Sequence, residues 1–195
     1  MGSIFYLKTN MKKLSSFIYY KLLGWKMIGS FNEDTIKKCI IIVVPHTSWH
    51  DFYMGLLIRK IAGIKISFIG KKELFKWPFG WYFKKVGGIP IDRTSGQNKV
   101  GLIAEEFEKR DELRLALAPE GTRKKVSSWK TGFYYIAEAA KVPIIMVTFD
   151  FGKKQNVISS PFYPTGNIDK DLIYMYSFFK GVKGKIPAYS FDTID

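Results

Sequence analysis

Apolar residues follow two alternating patterns along the chain. Short runs rich in β-branched residues, typical of buried strands, alternate with stretches in which apolar residues recur every three or four positions, typical of helices. The run Cys39–Val44, which ends at Pro45, is continuously apolar, as expected for a parallel strand buried on both faces. The other predicted strands are Lys65–Ile69, Ile89–Ile91, Arg114–Leu117 and Val142–Phe149.

The predicted helices lie before, between and after these strands. They span 11–29, Asp51–Ile61, Gln97–Lys109, Gly132–Ala140 and Leu172–Phe179, and the aromatic-rich stretch Glu73–Val86 is helical or irregular. Strands that alternate with helices predict an α/β fold, with a mostly parallel, twisted sheet flanked by helices. A chain of 195 residues is most simply one domain with one core.

The N-terminal stretch differs from the rest in its charge. Leu14, Ile18, Leu22 and Trp25 recur at helical spacing, and residues 1–30 contain lysines but no acidic residue. A basic helix with an apolar and aromatic face is typical of segments that lie in the headgroup layer of a membrane. The alternative is a helix that packs on the core with its lysines in water. A soft boundary near Ser30–Glu33 divides the chain into a docking segment, 1–30, and a main domain, 31–195.

No stretch reaches the roughly 18 uninterrupted apolar residues of a spanning helix, and the pattern of a secretory signal peptide is missing. We therefore expect peripheral or monotopic attachment to the cytoplasmic face of the cell membrane.

The overall charge indicates an anionic partner. The chain has 31 Lys and Arg against 17 Asp and Glu, a net charge of +14. Nucleic acid and an acidic membrane surface are both compatible with that excess. The single cysteine, Cys39, excludes an internal disulfide and is expected to be a small buried apolar residue.

The first candidate motif, Pro45–Asp51, follows the predicted central strand. Ligands of open α/β sheets bind beyond the carboxyl ends of the strands. A strand-turn-helix can bring Asp51 back to one imidazole nitrogen of His46, which leaves the other nitrogen to act as a base. Two alternatives stay open: Ser48 and Asp51 resemble a helix capping box, and His46 could be an ordinary structural histidine.

His50 suggests a rival interpretation. It lies four residues after His46, a spacing found among metal ligands, and would serve a metal-dependent hydrolase. However, the chain has only two histidines, and zinc normally takes three or four protein ligands. We therefore expect no metal site.

The second candidate motif, Pro119–Arg123, follows another predicted strand. Gly121 lets a backbone N–H approach a ligand oxygen closely, and the guanidinium of Arg123 suits a phosphate. Glu120 could anchor Arg123 or a second base. The alternative is an ordinary turn with solvated charges. A third motif, Gly87–Arg93, brings Arg93 to the end of a short strand, where the alternative is a surface arginine paired with Asp92.

Four blocks in this order resemble the glycerolipid acyltransferase family, which includes the 1-acylglycerol-3-phosphate acyltransferases. The blocks are His46 and Asp51 with four residues between them, Gly87–Arg93, Pro119–Arg123, and Val142–Ile145. The resemblance covers roughly residues 40–150. Ala118 departs from the pattern, since the family usually has phenylalanine there. Asp51, rather than glutamate, argues against the related lipid A acyltransferases.

The resemblance implies an enzyme that needs no cofactor. A fatty acyl group would pass from a thioester, on coenzyme A or acyl carrier protein, to the hydroxyl of a lysophospholipid such as 1-acylglycerol-3-phosphate, in phospholipid biosynthesis. His46 would be the general base and Asp51 would orient it. Arg93 and Arg123 would bind the acceptor's phosphate, in a phosphate-binding pocket completed by Glu120, Gly121 and Thr122.

The expected partners are an anionic membrane surface, the lysophospholipid and the acyl donor, without nucleic acid. The aromatic run Phe75–Phe83 is a candidate for the wall of an acyl-chain site or for membrane docking. One alternative is acylation of a lyso-lipid that lacks the phosphate. Another is a non-catalytic basic module, which would explain the charge but not a base and carboxylate gathered with arginines at strand ends.

Overall fold

A computed structural model describes residues 10–31, 36–91 and 99–191. Its centre is a sheet of five parallel strands. The first and the last of the seven strands in the described ranges form a separate parallel pair. In chain order the strands are β1 Lys26–Ile28, β2 Lys38–Val44, β3 Ser67–Lys71, β4 Gly88–Ile91, β5 Leu113–Leu117, β6 Ile144–Thr148 and β7 Gln155–Val157.

The strand order in the main sheet is β4-β3-β5-β2-β6, so β2 lies between β5 and β6. Its register places Ile42 opposite Leu117 on one side and opposite Met146 on the other. Because all five strands are parallel, their carboxyl ends lie along one edge. The loops that follow β2, β3, β5 and β6 therefore gather at that edge.

Six helices surround the sheet in the described ranges. They are α1 at 10–22, whose last turns Phe17–Leu22 are a π-helix, α2 His50–Ala62, α3 Gly80–Lys85, α4 Lys99–Glu108, α5 Gly132–Ala139 and α6 Ile168–Phe178. Short 3₁₀ turns occur at Lys72–Phe75 and Pro187–Tyr189. The α/β architecture and the five strands of the main sheet follow the sequence prediction.

Both faces of β2 are covered, as its continuous apolar sequence predicts. Ile40 and Ile42 pack with α4, α5 and α6 on one face, whereas Cys39 and Ile41 pack with α2 on the other. Cys39 is fully buried, and burial raises the pKa of its thiol to about 12. It is therefore the small core residue that the sequence predicts.

The N-terminal helix ends earlier than predicted. Helix α1 stops at residue 22, and after Gly24, with φ of +69°, the chain continues as β1, which pairs with β7. Trp25 leaves the expected apolar stripe and packs edge to face on Phe151, with 4.9 Å between ring centroids. Pairing with β7 and burial of Trp25 outweigh the helical periodicity of residues 23–29.

One side of α1 is attached to the domain and another is exposed. Tyr19 is buried, and its hydroxyl lies 2.7 Å from the Oδ1 of Asn156. Leu14, Phe17 and Leu22 remain exposed to solvent. None of the helices in the described ranges has the length and apolar content needed to cross a bilayer. The predicted boundary near Ser30–Glu33 lies partly outside those ranges.

Candidate active site

The imidazole of His46 faces a buried carboxylate. His46 follows β2 directly, after Pro45, and its Nδ1 lies 3.0 Å from the Oδ2 of Asp51 in the first turn of α2. The side chain of His46 is 26% exposed, whereas that of Asp51 is 1% exposed. A hydrogen on Nδ1 donated to the carboxylate leaves the lone pair of Nε2 free to accept a proton.

Asp51 also holds the turn that carries His46. Its Oδ2 accepts the backbone N–H groups of Thr47 and Ser48, each at 2.9 Å. The capping alternative is therefore half right: the carboxylate does satisfy donors at the start of the helix. The Ser48 hydroxyl does not complete a capping box, because it lies 2.8 Å from the Nδ1 of His50 and accepts the backbone N–H of His50 at 3.4 Å, whereas the Asp51 N–H bonds the Ser48 carbonyl. The carboxylate of Asp51 therefore both caps the start of α2 and orients the imidazole of His46.

His50 is occupied by its sequence neighbours. Besides its contact with Ser48, its ring stacks on Trp49 with 4.0 Å between centroids. Across the described ranges, no three His, Cys, Asp or Glu side chains are grouped as a metal site would require.

Glu120 joins the second motif to the first. The register of β2 and β5 aligns Ile42 with Leu117, so the loops after the two strands lie side by side. Glu120 is 2% exposed, and its Oε2 accepts the backbone N–H of His46 at 2.6 Å. Burial raises the pKa of Glu120 to about 7, although the hydrogen bond from His46 opposes the shift. The Glu120 side chain thus supports the turn that carries His46 and does not anchor Arg123.

Gly121 lies where the loop needs a left-handed residue. Its φ is +65°, a conformation that favours glycine. The side chain of Lys130 lies over it, since a Cβ on Gly121 would be 2.9 Å from the Nζ of Lys130. The backbone N–H of Lys130 donates to the carbonyl of Pro119 at 2.8 Å. The sequence pattern did not single out Lys130, and only its place in a basic stretch hints at it.

Of the three remaining predicted residues, the structure describes Arg123 and Thr122. Arg123 is exposed and makes no hydrogen bond or ion pair within the described part of the chain. Thr122 is exposed, and its hydroxyl accepts the Lys124 N–H at 3.3 Å. Arg93 lies outside the described residues. The structure thus brings together His46, Asp51, Glu120 and Gly121, with Arg123 two residues further along the same loop.

Comparison with known proteins identifies the family. Residues 27–150 match the family model described as Acyltransferase. The chain belongs to the acyltransferase family. The resemblance predicted from the motifs is therefore confirmed.

Several relatives of this acyltransferase carry the name 1-acyl-sn-glycerol-3-phosphate acyltransferase. The protein of Streptococcus pneumoniae is 33% identical over 136 residues, which are 66% of this chain and 50% of that protein. The Escherichia coli protein is 40% identical over 86 residues, covering 40% and 35% of the two chains. The human beta form is 26% identical over 164 residues, covering 81% and 58%. The chain spans about half the length of the pneumococcal relative.

A solved structure has the same fold. The 1-acyl-sn-glycerophosphate acyltransferase of Thermotoga maritima aligns with a TM-score of 0.59 over 89% of this chain and 76% of that one. The sequence identity is 22%, so the likeness concerns the fold. It confirms the predicted α/β architecture.

Proposed function

We propose that this acyltransferase moves a fatty acyl group from a thioester to the hydroxyl of 1-acylglycerol-3-phosphate, in phospholipid biosynthesis. The observation that carries the proposal is the His46–Asp51 pair beside the Glu120–Arg123 loop at the carboxyl edge of the sheet. The names of the relatives support the acceptor. The thioester is the only co-substrate that the reaction requires.

In the proposed reaction His46 acts as general base. Its Nε2 takes the proton of the acceptor hydroxyl while that oxygen forms a bond to the thioester carbonyl carbon. The carbon–sulfur bond then breaks, and the thiol leaves with the proton that His46 returns. A positioned base of this kind contributes about 10²–10⁴ to the rate. Asp51 keeps the hydrogen on Nδ1 and stabilises the imidazolium that forms.

The acceptor's phosphate binds at the second loop in this proposal. Arg123 presents an exposed guanidinium, and guanidinium suits a phosphate through paired charge-assisted hydrogen bonds. We assign Arg93 to the same phosphate on its place in the third motif. Gly121 and Thr122 shape the loop, and Glu120 contributes by fixing the loop against His46.

An apolar cleft beside this loop suits the acyl chain. The cleft has a volume of about 210 Å³ and lies between α4 and α5. It is lined by Ile103, Leu117, Phe133 and Ile136, among others, and Lys130 borders it. We prefer it to the aromatic run Phe75–Phe83, because Trp77, Phe79 and Trp81 of that run are exposed to solvent.

Helix α1 is the proposed attachment to the anionic cytoplasmic face of the membrane, within a docking segment 1–30 that is joined to the acyltransferase domain 31–195 by the pairing of β1 with β7. Its exposed Leu14, Phe17 and Leu22 occur with exposed Lys12 and Lys21. Apolar burial and attraction to anionic lipid act together in such helices.

The direct test is product analysis by mass spectrometry. Purified protein on anionic vesicles receives acyl-CoA or acyl carrier protein thioester, with 1-acylglycerol-3-phosphate or with the matched 1-acylglycerol that lacks the phosphate. We expect a diacyl product from the phosphate-bearing acceptor. Product from the phosphate-free acceptor alone would overturn the choice of acceptor, and no product from either would overturn the proposed reaction.

A further inference from the structure

The connection between β3 and β4 exposes a group of aromatic side chains. Trp77 is 92% exposed, Phe79 67% and Trp81 66%. Together with the exposed Leu74, these residues are called the aromatic loop below. Single exposed apolar residues are ordinary on protein surfaces, but several large ones within eight positions mark a site of interaction.

The aromatic loop is anchored from beneath. Phe75 and Phe83 face inward, with 6.4 Å between their ring centroids, and Phe83 lies 6.5 Å from Phe52 of α2. Phe75 also fills the space beside Gly88, where a Cβ would lie 2.6 Å from its ring. The exposed aromatic side chains are therefore supported by Phe75 and Phe83, which also connect them to α2 through Phe52.

The charges around the aromatic loop favour an anionic bilayer. Lys72, Lys76, Lys84 and Lys85 are exposed along the same stretch, against the single acid Glu73. Tryptophan concentrates at membrane–water interfaces, where its ring is buried and its N–H stays hydrated. Nearby lysines add attraction to anionic headgroups. Leu74 adds aliphatic surface that a lipid can bury and that offers no ring for a nucleobase to stack on.

The position of the aromatic loop relates it to the active site. The aromatic loop follows the carboxyl end of β3, and His46 follows that of β2. At the other end of the sheet, Trp25, just after α1, packs on Phe151 beyond the carboxyl end of β6. The carboxyl ends of the strands form a row in the order β4-β3-β5-β2-β6. Along this row His46, after β2, thus lies between the aromatic loop, after β3, and α1, near the end of β6.

We propose that the aromatic loop is a second membrane-contact surface, which acts with α1 to seat the carboxyl edge of the sheet on an anionic bilayer. Trp77, Phe79 and Trp81 enter the headgroup region while the lysines bind anionic lipid. Two contacts on either side of His46 fix the orientation of the site as well as its attachment. That last consequence rests on the proposed function, whereas the binding itself does not.

Vesicle binding without any thioester tests the proposal. The variant Trp77→Ser/Phe79→Ser/Trp81→Ser should bind phosphatidylglycerol vesicles at least about tenfold more weakly than wild type, because each ring loses apolar burial. The matched control Tyr163→Ser/Ile173→Ser changes two side chains that are 61% and 68% exposed on other elements, and should bind as wild type does. Unchanged binding by the triple variant, or equal weakening by the control, would overturn the proposal.

Tryptophan fluorescence locates the contact and separates it from α1. Trp25 and Trp129 are buried, whereas Trp49 is 54% exposed, so the experiment uses a Trp49→Phe background, in which quenching by lipids brominated near the headgroup reports chiefly on Trp77 and Trp81. The variant Trp77→Phe/Trp81→Phe should keep its affinity and lose most of the quenching. Undiminished quenching would contradict insertion of the aromatic loop.

Two further measurements distinguish the outcomes. A single-stranded oligonucleotide that binds wild type but not the triple variant, with vesicle binding unchanged, would assign the aromatic loop to nucleic acid and overturn the proposal. Loop-dependent vesicle binding without acyl transfer would support the proposal while contradicting the proposed function.

Discussion

The backbone N–H of His46 donates a 2.6 Å hydrogen bond to the Oε2 of Glu120, across 74 residues of sequence. This bond joins two loops that are each weak as isolated motifs. Asp51 holds the same turn from within α2, through the amides of Thr47 and Ser48. The position of the imidazole is therefore set by two buried carboxyl groups, Asp51 in the first turn of α2 and Glu120 in the loop after β5.

Glu120 makes stability depend on pH. Burial raises its pKa from 4.5 to about 7, so the folded protein retains a proton that the unfolded chain releases. The free energy of unfolding should therefore fall as the pH rises from about 4.5 to about 7, and level off above that. The decline from this group should be roughly 1–3 kcal/mol.

The variant Glu120→Gln isolates that contribution, since glutamine still accepts the His46 N–H but cannot ionise. Denaturant unfolding at pH 5 and pH 8 should show a smaller decline for the variant than for wild type. Equal declines in the two proteins would contradict the assignment.

Gly184 is packed against the turn that carries His46. A Cβ at this position would lie 2.5 Å from the Oγ1 and 2.6 Å from the Cγ2 of Thr47, which is itself buried. The same Oγ1 accepts the backbone N–H of Ile186 at 3.2 Å. The C-terminal segment thus contacts the residue between His46 and the amide of Ser48, and glycine is needed at the contact.

The variant Gly184→Ala should move Thr47 and misplace His46. Overpacking of this kind destabilises by about 1–3 kcal/mol, and a displaced catalytic group lowers turnover by roughly tenfold to a hundredfold. Gly55→Ala is the control, because a Cβ there meets only the ring of Phe149, at an ordinary contact distance of 4.0 Å. Steady-state kinetics with a thermal unfolding curve for each variant measures both effects. Equal kinetics in the two variants would show that the contact does not matter.

Arg123 should act on the acceptor and not on the donor. We expect Arg123→Ala to raise the KM for 1-acylglycerol-3-phosphate about 10- to 100-fold, because a charge-assisted hydrogen bond to phosphate is lost. The KM for the thioester should stay the same. Lys60→Ala removes the same charge from an exposed position on α2 and should change neither. If Arg123→Ala affected phosphate-bearing and phosphate-free acceptors equally, the assignment of Arg123 to the phosphate would be wrong.

Local patterns predicted the elements well where burial decides them. The run Cys39–Val44 forms a strand because both of its faces are covered, and the helix after Pro45 begins where its apolar spacing begins. The end of α1 was wrong, because Trp25 finds its partner Phe151 far along the chain. Periodicity cannot register such a contact.

The sequence likewise predicted the local contact in the site and missed the contacts between residues that are distant in the chain. The spacing of His46 and Asp51 follows from a strand-turn-helix, which is local. The contact of Glu120 with the His46 amide depends on the register of β2 against β5, and that of Gly184 with Thr47 depends on where the C-terminal segment returns. Neither contact can be recognised from the pattern of residues along the sequence.

The central claim is that His46 is the base in an acyl transfer, and one comparison tests it most directly. Turnover of 1-acylglycerol-3-phosphate is measured for wild type, His46→Ala and His50→Ala, each shown to be folded by its unfolding curve. The turnover of His46→Ala should be lower than that of wild type by a factor of about 10²–10⁴. The turnover of His50→Ala should remain within a few-fold of wild type, because the His50 ring contacts only Ser48 and Trp49 among the contacts described above. Wild-type turnover by His46→Ala would contradict the account.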